Sequence, residues 1–277
     1  MYRACRATGS SADTRGGHRY HRPVPFTDEQ LHLIVAAAHR VGDHVRSVCA
    51  TWRFPSNANA AAATSALARS SELVEEALFM CDGRISPGAN IVVRSAFENW
   101  LVGNWALFGG QDALIGIERE RARYERILAE RNGMPSDAMD RLNRQIDGLA
   151  DVANRVLGTD LPSSVKYTEI AKALPPLVKQ QTVDREDADF LAVYDVFYRS
   201  HSTYDAHPWK TIGTYLTETG LGLAVRTLPP WQEPRAAAAH MATYNALLGR
   251  WIEQARGGSG DDWTAVAEPL ADLLSKN

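Results

Sequence analysis

Cysteine is scarce in this 277-residue chain. Cys5, Cys49 and Cys81 are odd in number, far apart and form no CxxC pair, which excludes a disulfide framework and a thiolate zinc site and points to a reducing, cytoplasmic compartment. Phosphate-cradling glycine motifs are missing as well. There is no GxxxxGK[ST] and no GxGxxG after a strand, so nucleotide hydrolysis of the P-loop kind is excluded, and without GxSxG there is no hydrolase nucleophile elbow. No apolar run reaches the roughly 18 residues that span a bilayer, so no membrane partner is expected. A net charge of −3 gives no global basic field for nucleic acid or lipid headgroups.

What is present is ordinary globular material, 45% apolar and 23% charged, enough for one large helical domain or two small ones. Residues 1–25 are basic and rich in Arg, Ser and Gly but have no apolar core segment. They read as a disordered tail and not as a secretory signal. Residues 26–256 read as a helical bundle, within which 111–158 form a charged hairpin, and 257–277 as a linker with a C-terminal amphipathic helix. The expected fold is all-α, an antiparallel bundle of roughly seven to nine helices.

The central helix is Ser86 to Phe108, with Ser86 as cap and Pro87 in the first turn. It is apolar on nearly every side, as the most buried helix of a bundle is. Its only charges, Arg94 and Glu98, stand four residues apart on one face, continued by Ile91, Leu101 and Trp105. That spacing places them inside the protein, where a charge persists only when paired and hydrogen-bonded.

The flanking helices are read from their caps. Thr27 and Gln30 make a capping box for a helix to about Arg53, and a second helix runs from about Ser56 to Asp82. After Gly109 and Gly110 comes a highly charged helix with a narrow stripe of Leu114, Ile117, Tyr124 and Leu128. Gly133 and Pro135 mark its tip before an amphipathic return. This hairpin reads as a solvated or dimerising arm, so a homodimer is one partner class. RNA on Arg119, Arg121, Arg123 and Arg126 is another, opposed by the interleaved glutamates. A short helix around Ser164–Leu174 ends at Pro175–Pro176, and an acid-led helix comes next. The segment after Pro208 reads as a loop with room for two short strands and no sheet, and Pro234 opens a helix to about Arg256.

Metal chemistry has little support. A di-iron bundle needs two Glu-x-x-His pairs, and the chain has only Glu29–His32, at an exposed helix start. Glu75, Glu76 and Glu98, with His39 or His44, could meet across helices, but nothing in the spacing fixes that arrangement. Asp184, Asp187 and Asp189 lack DDxxD spacing and are explained by capping. No cofactor is expected.

One constellation remains, Tyr194 through Pro208. Tyr194, Tyr198, His201 and Asp205 share a helical stripe, and His207 precedes a proline that biases it to extended backbone. It can reach back into the bundle to accept a proton or donate a hydrogen bond, or it can simply help Asp205 close the helix.

Together these stretches resemble a bacterial all-helical family of unknown function. Its members carry Arg-x-x-x-Glu on an apolar helix and, about a hundred residues later, a Tyr…Ser…Ala-His motif; the matching positions are Arg94, Glu98, Tyr198, Ser202 and His207, over roughly residues 30 to 255. The resemblance implies an all-α fold with an internal polar cluster and brings no activity. A weaker resemblance is to HEPN helical ribonucleases, whose Arg-x(4–6)-His motif cleaves RNA without a metal at a dimer interface. Here Arg199 and His207 have seven residues between them. The primary expectation is a binding or regulatory protein with an unknown ligand held at Arg94, Glu98, Tyr198, Ser202 and His207. The alternative is a metal-independent ribonuclease with His207 as acid/base and Arg199 on the phosphate; a third is a small-molecule enzyme using the same cluster.

Overall fold

The computed structural model describes residues 26–54, 57–82, 88–157, 166–182, 189–200, 216–219, 222–225 and 234–275, with side chains described for these except at 150–157, 199–200 and in the two strands. It is an all-α antiparallel bundle. The helices are α1 (Asp28–Thr51), α2 (Ala58–Met80), α3 (Ala89–Phe108), α4 (Gly110–Arg131), α5 (Ser136–Leu157), α6 (Tyr167–Gln181), α7 (Phe190–Tyr194), α8 (Pro234–Ala255) and α9 (Asp261–Ser275). A π-helical turn, Asp195–Ser200, continues α7 directly. Among the described residues no helix is long and apolar enough to cross a membrane.

The capping box forms as the sequence predicts: Gln30 N–H donates to Thr27 Oγ1 at 3.2 Å while Thr27 N–H donates to Gln30 Oε1 at 2.8 Å. Helix α3 begins later than expected, at Ala89 behind Gly88, with no side-chain cap; Ser86 and Pro87 lie outside the described residues. It is nonetheless the hub, in contact with α2, α4, α6, α8 and the π-turn. Trp100, Phe97 and Leu101 on it are fully buried. Close packing of α2 against α3 comes from composition, since Ala60, Ala63 and Ala77 present little more than backbone to the core. Some buried polar groups find partners: Ser70 Oγ lies 2.9 Å from the Ala96 carbonyl and 2.7 Å from the Asn245 side chain, and Asn104 Nδ2 donates to the Trp100 carbonyl at 2.8 Å; Asn90 Oδ1 and Asn104 Oδ1 are buried without one.

Three further expectations change. Helix α6 does not stop at Pro175–Pro176 but runs through both to Gln181. Each proline removes an intrahelical hydrogen bond at a cost of about 3 kcal/mol in an isolated helix; burial of Leu174 and Val178 on the two sides offsets it, and Gln181 Nε2 donates to the Phe108 carbonyl at 2.9 Å. The acid-led helix is a five-residue α-helix that widens into a π-turn, with Asp189 capping it by accepting from Ala192 N–H at 2.9 Å. The two short strands that the segment after Pro208 had room for, Leu216–Thr219 and Gly222–Val225, do pair, as a small antiparallel ladder where no sheet was expected.

Helices α4 and α5 make the charged hairpin. Gly110, at φ 64°, turns the chain out of α3 where an L side chain would be strained. Helix α4 buries Ala113, Ile115 and Gly116 in its first turns and only Ala122 and Ala129 beyond them. Helix α9 packs on α1 and α8, with Trp263 buried beside Trp52 at 5.8 Å.

Candidate functional site

The Arg94–Glu98 pair forms. Arg94 Nε donates to Glu98 Oε1 at 3.1 Å, one helical turn apart. The face that carries it is only partly covered: Leu101 is buried and Trp105 packs against the core, but Ile91 is exposed, and the two charged side chains keep 24% and 22% of their surface. The pair therefore sits at the edge of the core with one side open, not wholly inside it.

Aromatic rings supply the cover. The Arg94 guanidinium lies over the Tyr198 ring at 4.3 Å, a cation–π contact that keeps the charge favourable where water is thin. Tyr198 stacks on Tyr194 at 4.9 Å, 16° from parallel, and Tyr167 lies tilted 5.7 Å from Tyr198. Beneath them Phe97 stacks against Phe197 at 6.0 Å and meets Tyr194 edge-on at 6.3 Å. Thr168 Oγ1 donates to the Tyr194 hydroxyl at 2.9 Å, tying α6 to α7.

The π-turn is what delivers Tyr198. A π-turn holds one extra residue in the helix and rotates the residues beyond it about the axis, and such turns recur at functional sites. Here Phe197 points into the core while Tyr198, next in sequence, covers Arg94. The Tyr167 phenol is pushed up to about 12, first by burial and then by the negative charge of Glu98, to which it is hydrogen-bonded. It is thus a neutral donor to the carboxylate across the physiological range.

Among the sequence-predicted residues, the structure brings Arg94, Glu98 and Tyr198 together. Contact with Tyr198 is through the ring face and not through its hydroxyl. Ser202, His207, His201 and Asp205 lie outside the described residues, as does the side chain of Arg199. The structure adds Tyr167, whose contact with Glu98 had no motif to announce it. Its only signal is the spacing Tyr167, Ile170, Ala171, Leu174, Val178, which places it on the buried stripe of α6.

The carboxylates do not converge as a metal site would need. Glu98 belongs to the tyrosine cluster, whereas Glu75 is bound by His39, Nδ1 to Oε2 at 2.7 Å. His44 packs edge-on against Trp263 at 4.5 Å. Among the described residues no group of three or more His, Cys, Asp or Glu is placed to hold a metal ion. Burial pushes the Cys49 thiol up to about 11, so it is not an activated nucleophile. On the hairpin, Arg121 pairs with Glu118 at 2.8 Å and Arg123 with Glu120 at 3.1 Å, which occupies cations an RNA phosphate would need. No protein-family model, curated protein or solved structure matches the chain.

Proposed function

We propose that this chain is a binding or regulatory protein whose ligand is held at the open side of the Arg94–Glu98 pair, with Tyr198 as the aromatic wall and Ser202 and His207 contributing from the segment beyond it. Kinship with the bacterial all-helical family of unknown function belongs to the same proposal, resting on Arg94, Glu98 and Tyr198. The observation that supports binding over catalysis is the state of the groups around the pair. Arg94 is committed to Glu98 and Tyr198, and the Tyr167 phenol is held protonated. These groups orient and recognise; an activated nucleophile or base would need the opposite shift.

Native mass spectrometry of the purified full chain tests this. A small-molecule adduct is expected on the parent and lost from a folded Arg94→Met variant; an adduct kept by that variant would place the ligand elsewhere. The ribonuclease reading, with Arg199 and His207, makes a different prediction: cleavage of end-labelled RNA in EDTA by the parent but not by a folded His207→Ala variant. That result would displace the binding reading. Light scattering on the same samples reads out the homodimer, for which the exposed Tyr124, Ile127 and Leu128 of the hairpin offer the apolar surface.

A further inference from the structure

Where α3 gives way to α4, a side chain from a third helix reaches across the corner. Asn59, in the first turn of α2, donates from Nδ2 to the Ala106 carbonyl at 2.6 Å and to the Gly110 carbonyl at 2.7 Å. Ala106 lies in the last turn of α3, and Gly110 is the first residue of α4. Both partners are acceptors, so the amide turns its NH2 group to them, and its two N–H donors match the two carbonyls.

The two carbonyls bracket the point where the backbone is least restrained. Gly109 lies between them, and Gly110 sits at φ 64° with open space where a Cβ would be. Two successive glycines leave rotation about this corner to be fixed by contacts from outside it.

The helices beyond the corner form an arm. Helix α5 packs on α4, and Ala122 and Ala129 are buried on one stripe of α4. At its root α4 meets α2 and α3, where Trp105 fills a notch at Gly116: a Cβ there would come within 2.4 Å of the indole ring. Apolar contact of that kind holds the root in place but has no preferred direction. Hydrogen bonds do have one, and the two from Asn59 join the end of α3 to the start of α4.

We propose that Asn59 is the latch of a hinged arm. Its two hydrogen bonds fix the angle at which α4 and α5 leave the bundle; without them the two helices turn as one body about Gly109 and Gly110. That angle sets where the arm presents the exposed Tyr124, Ile127 and Leu128.

Double electron–electron resonance on the full chain tests this. Spin labels on unnatural residues replace Ser65 of α2 and Ser136 at the tip of the arm, both exposed, and labelled chains are diluted into unlabelled ones so that only distances within one molecule are read. A second pair, at the exposed Gln111 and at Ser136, reads the arm alone. The parent is expected to give one narrow Ser65–Ser136 distance. Asn59→Asp keeps the side chain's size but sets a carboxylate against the two carbonyls, and its negative charge suits the first turn of α2, so that helix is retained. The substitution should shift or broaden the Ser65–Ser136 distance by about 6 Å or more, which is a turn of about 10° on a helix of 22 residues. Asn59→Ala, which removes both donors and adds no charge, should act in the same direction, and in both variants the Gln111–Ser136 distance should stay as in the parent. A Ser65–Ser136 distribution unchanged in both variants, a parent distribution already as broad as theirs, or a Gln111–Ser136 distance that changes as well would each overturn the proposal.

Discussion

Helices α3 and α4 adjoin one another across a two-glycine corner, and both carry arginine and glutamate within one turn of each other. On α4 the Arg121–Glu118 contact is the shorter, 2.8 Å against 3.1 Å for Arg94–Glu98. Distance does not rank them. The α4 pair is about half exposed, so water and salt screen it and holding two long side chains costs entropy. The α3 pair is three-quarters covered, roofed by Tyr198 and hydrogen-bonded by Tyr167. The same chemistry is surface decoration on one helix and part of the architecture on the next, because what lies above it differs.

The contrast can be broken most severely through the aromatic floor. Phe97 is fully buried with Trp100, Tyr194 and Phe197 around it. Phe97→Ala should cost about 3–5 kcal/mol, whereas Tyr124→Ala on the exposed face of α4 should stay within about 0.5 kcal/mol. Urea denaturation of the two variants measures both, and similar losses would mean the hairpin is as integrated as the core.

The ion pairs come next. A fully buried pair loses about 3–5 kcal/mol when one partner is removed, and an exposed one about 0–1. Glu98→Ala, at the edge of the core, should fall between, at roughly 1–3 kcal/mol, with a lowered Tm. Glu118→Ala should be nearly silent. A Glu98→Ala protein as stable as its parent would show that the aromatic roof does not shield the pair.

The smallest effect lies in the pH dependence. The Tyr167 phenol is raised in the folded protein to about 12, above the ordinary tyrosine value near 10. Between those values the folded chain holds a proton that the unfolded chain has lost. The stabilisation is therefore full below about pH 10 and disappears as pH rises through about 12. Tyr167→Phe should flatten that alkaline decline in Tm, and a decline of unchanged steepness would assign it to other groups.

Much of the fold was legible because its signals are local. The Thr27–Gln30 box, the glycines after Phe108 and the apolar period of α3 each act within a few residues, so spacing alone reveals them. Prolines 175 and 176 misled because their penalty is local while the burial of Leu174 and Val178 that overcomes it is not. The π-turn escaped for the same reason: nothing in Asp195–Ser200 marks it, and packing of Phe197 against Phe97 is a tertiary event.

The site divides along that line. Spacing determined that Arg94 and Glu98 share one face and pair, since a helix sets that geometry by itself. The sequence also determined the all-α class, through periodicity and caps. Only the tertiary structure decided that the pair would be partly open, that Tyr198 would meet Arg94 by its ring and not its hydroxyl, and that Tyr167 would bond Glu98. It also decided that Glu75 would pair with His39 across two helices and away from Glu98. Each of these depends on how α3, α6, the π-turn, α1 and α2 dock. Docking is set by the shapes of many side chains at once, and no spacing within one segment encodes it.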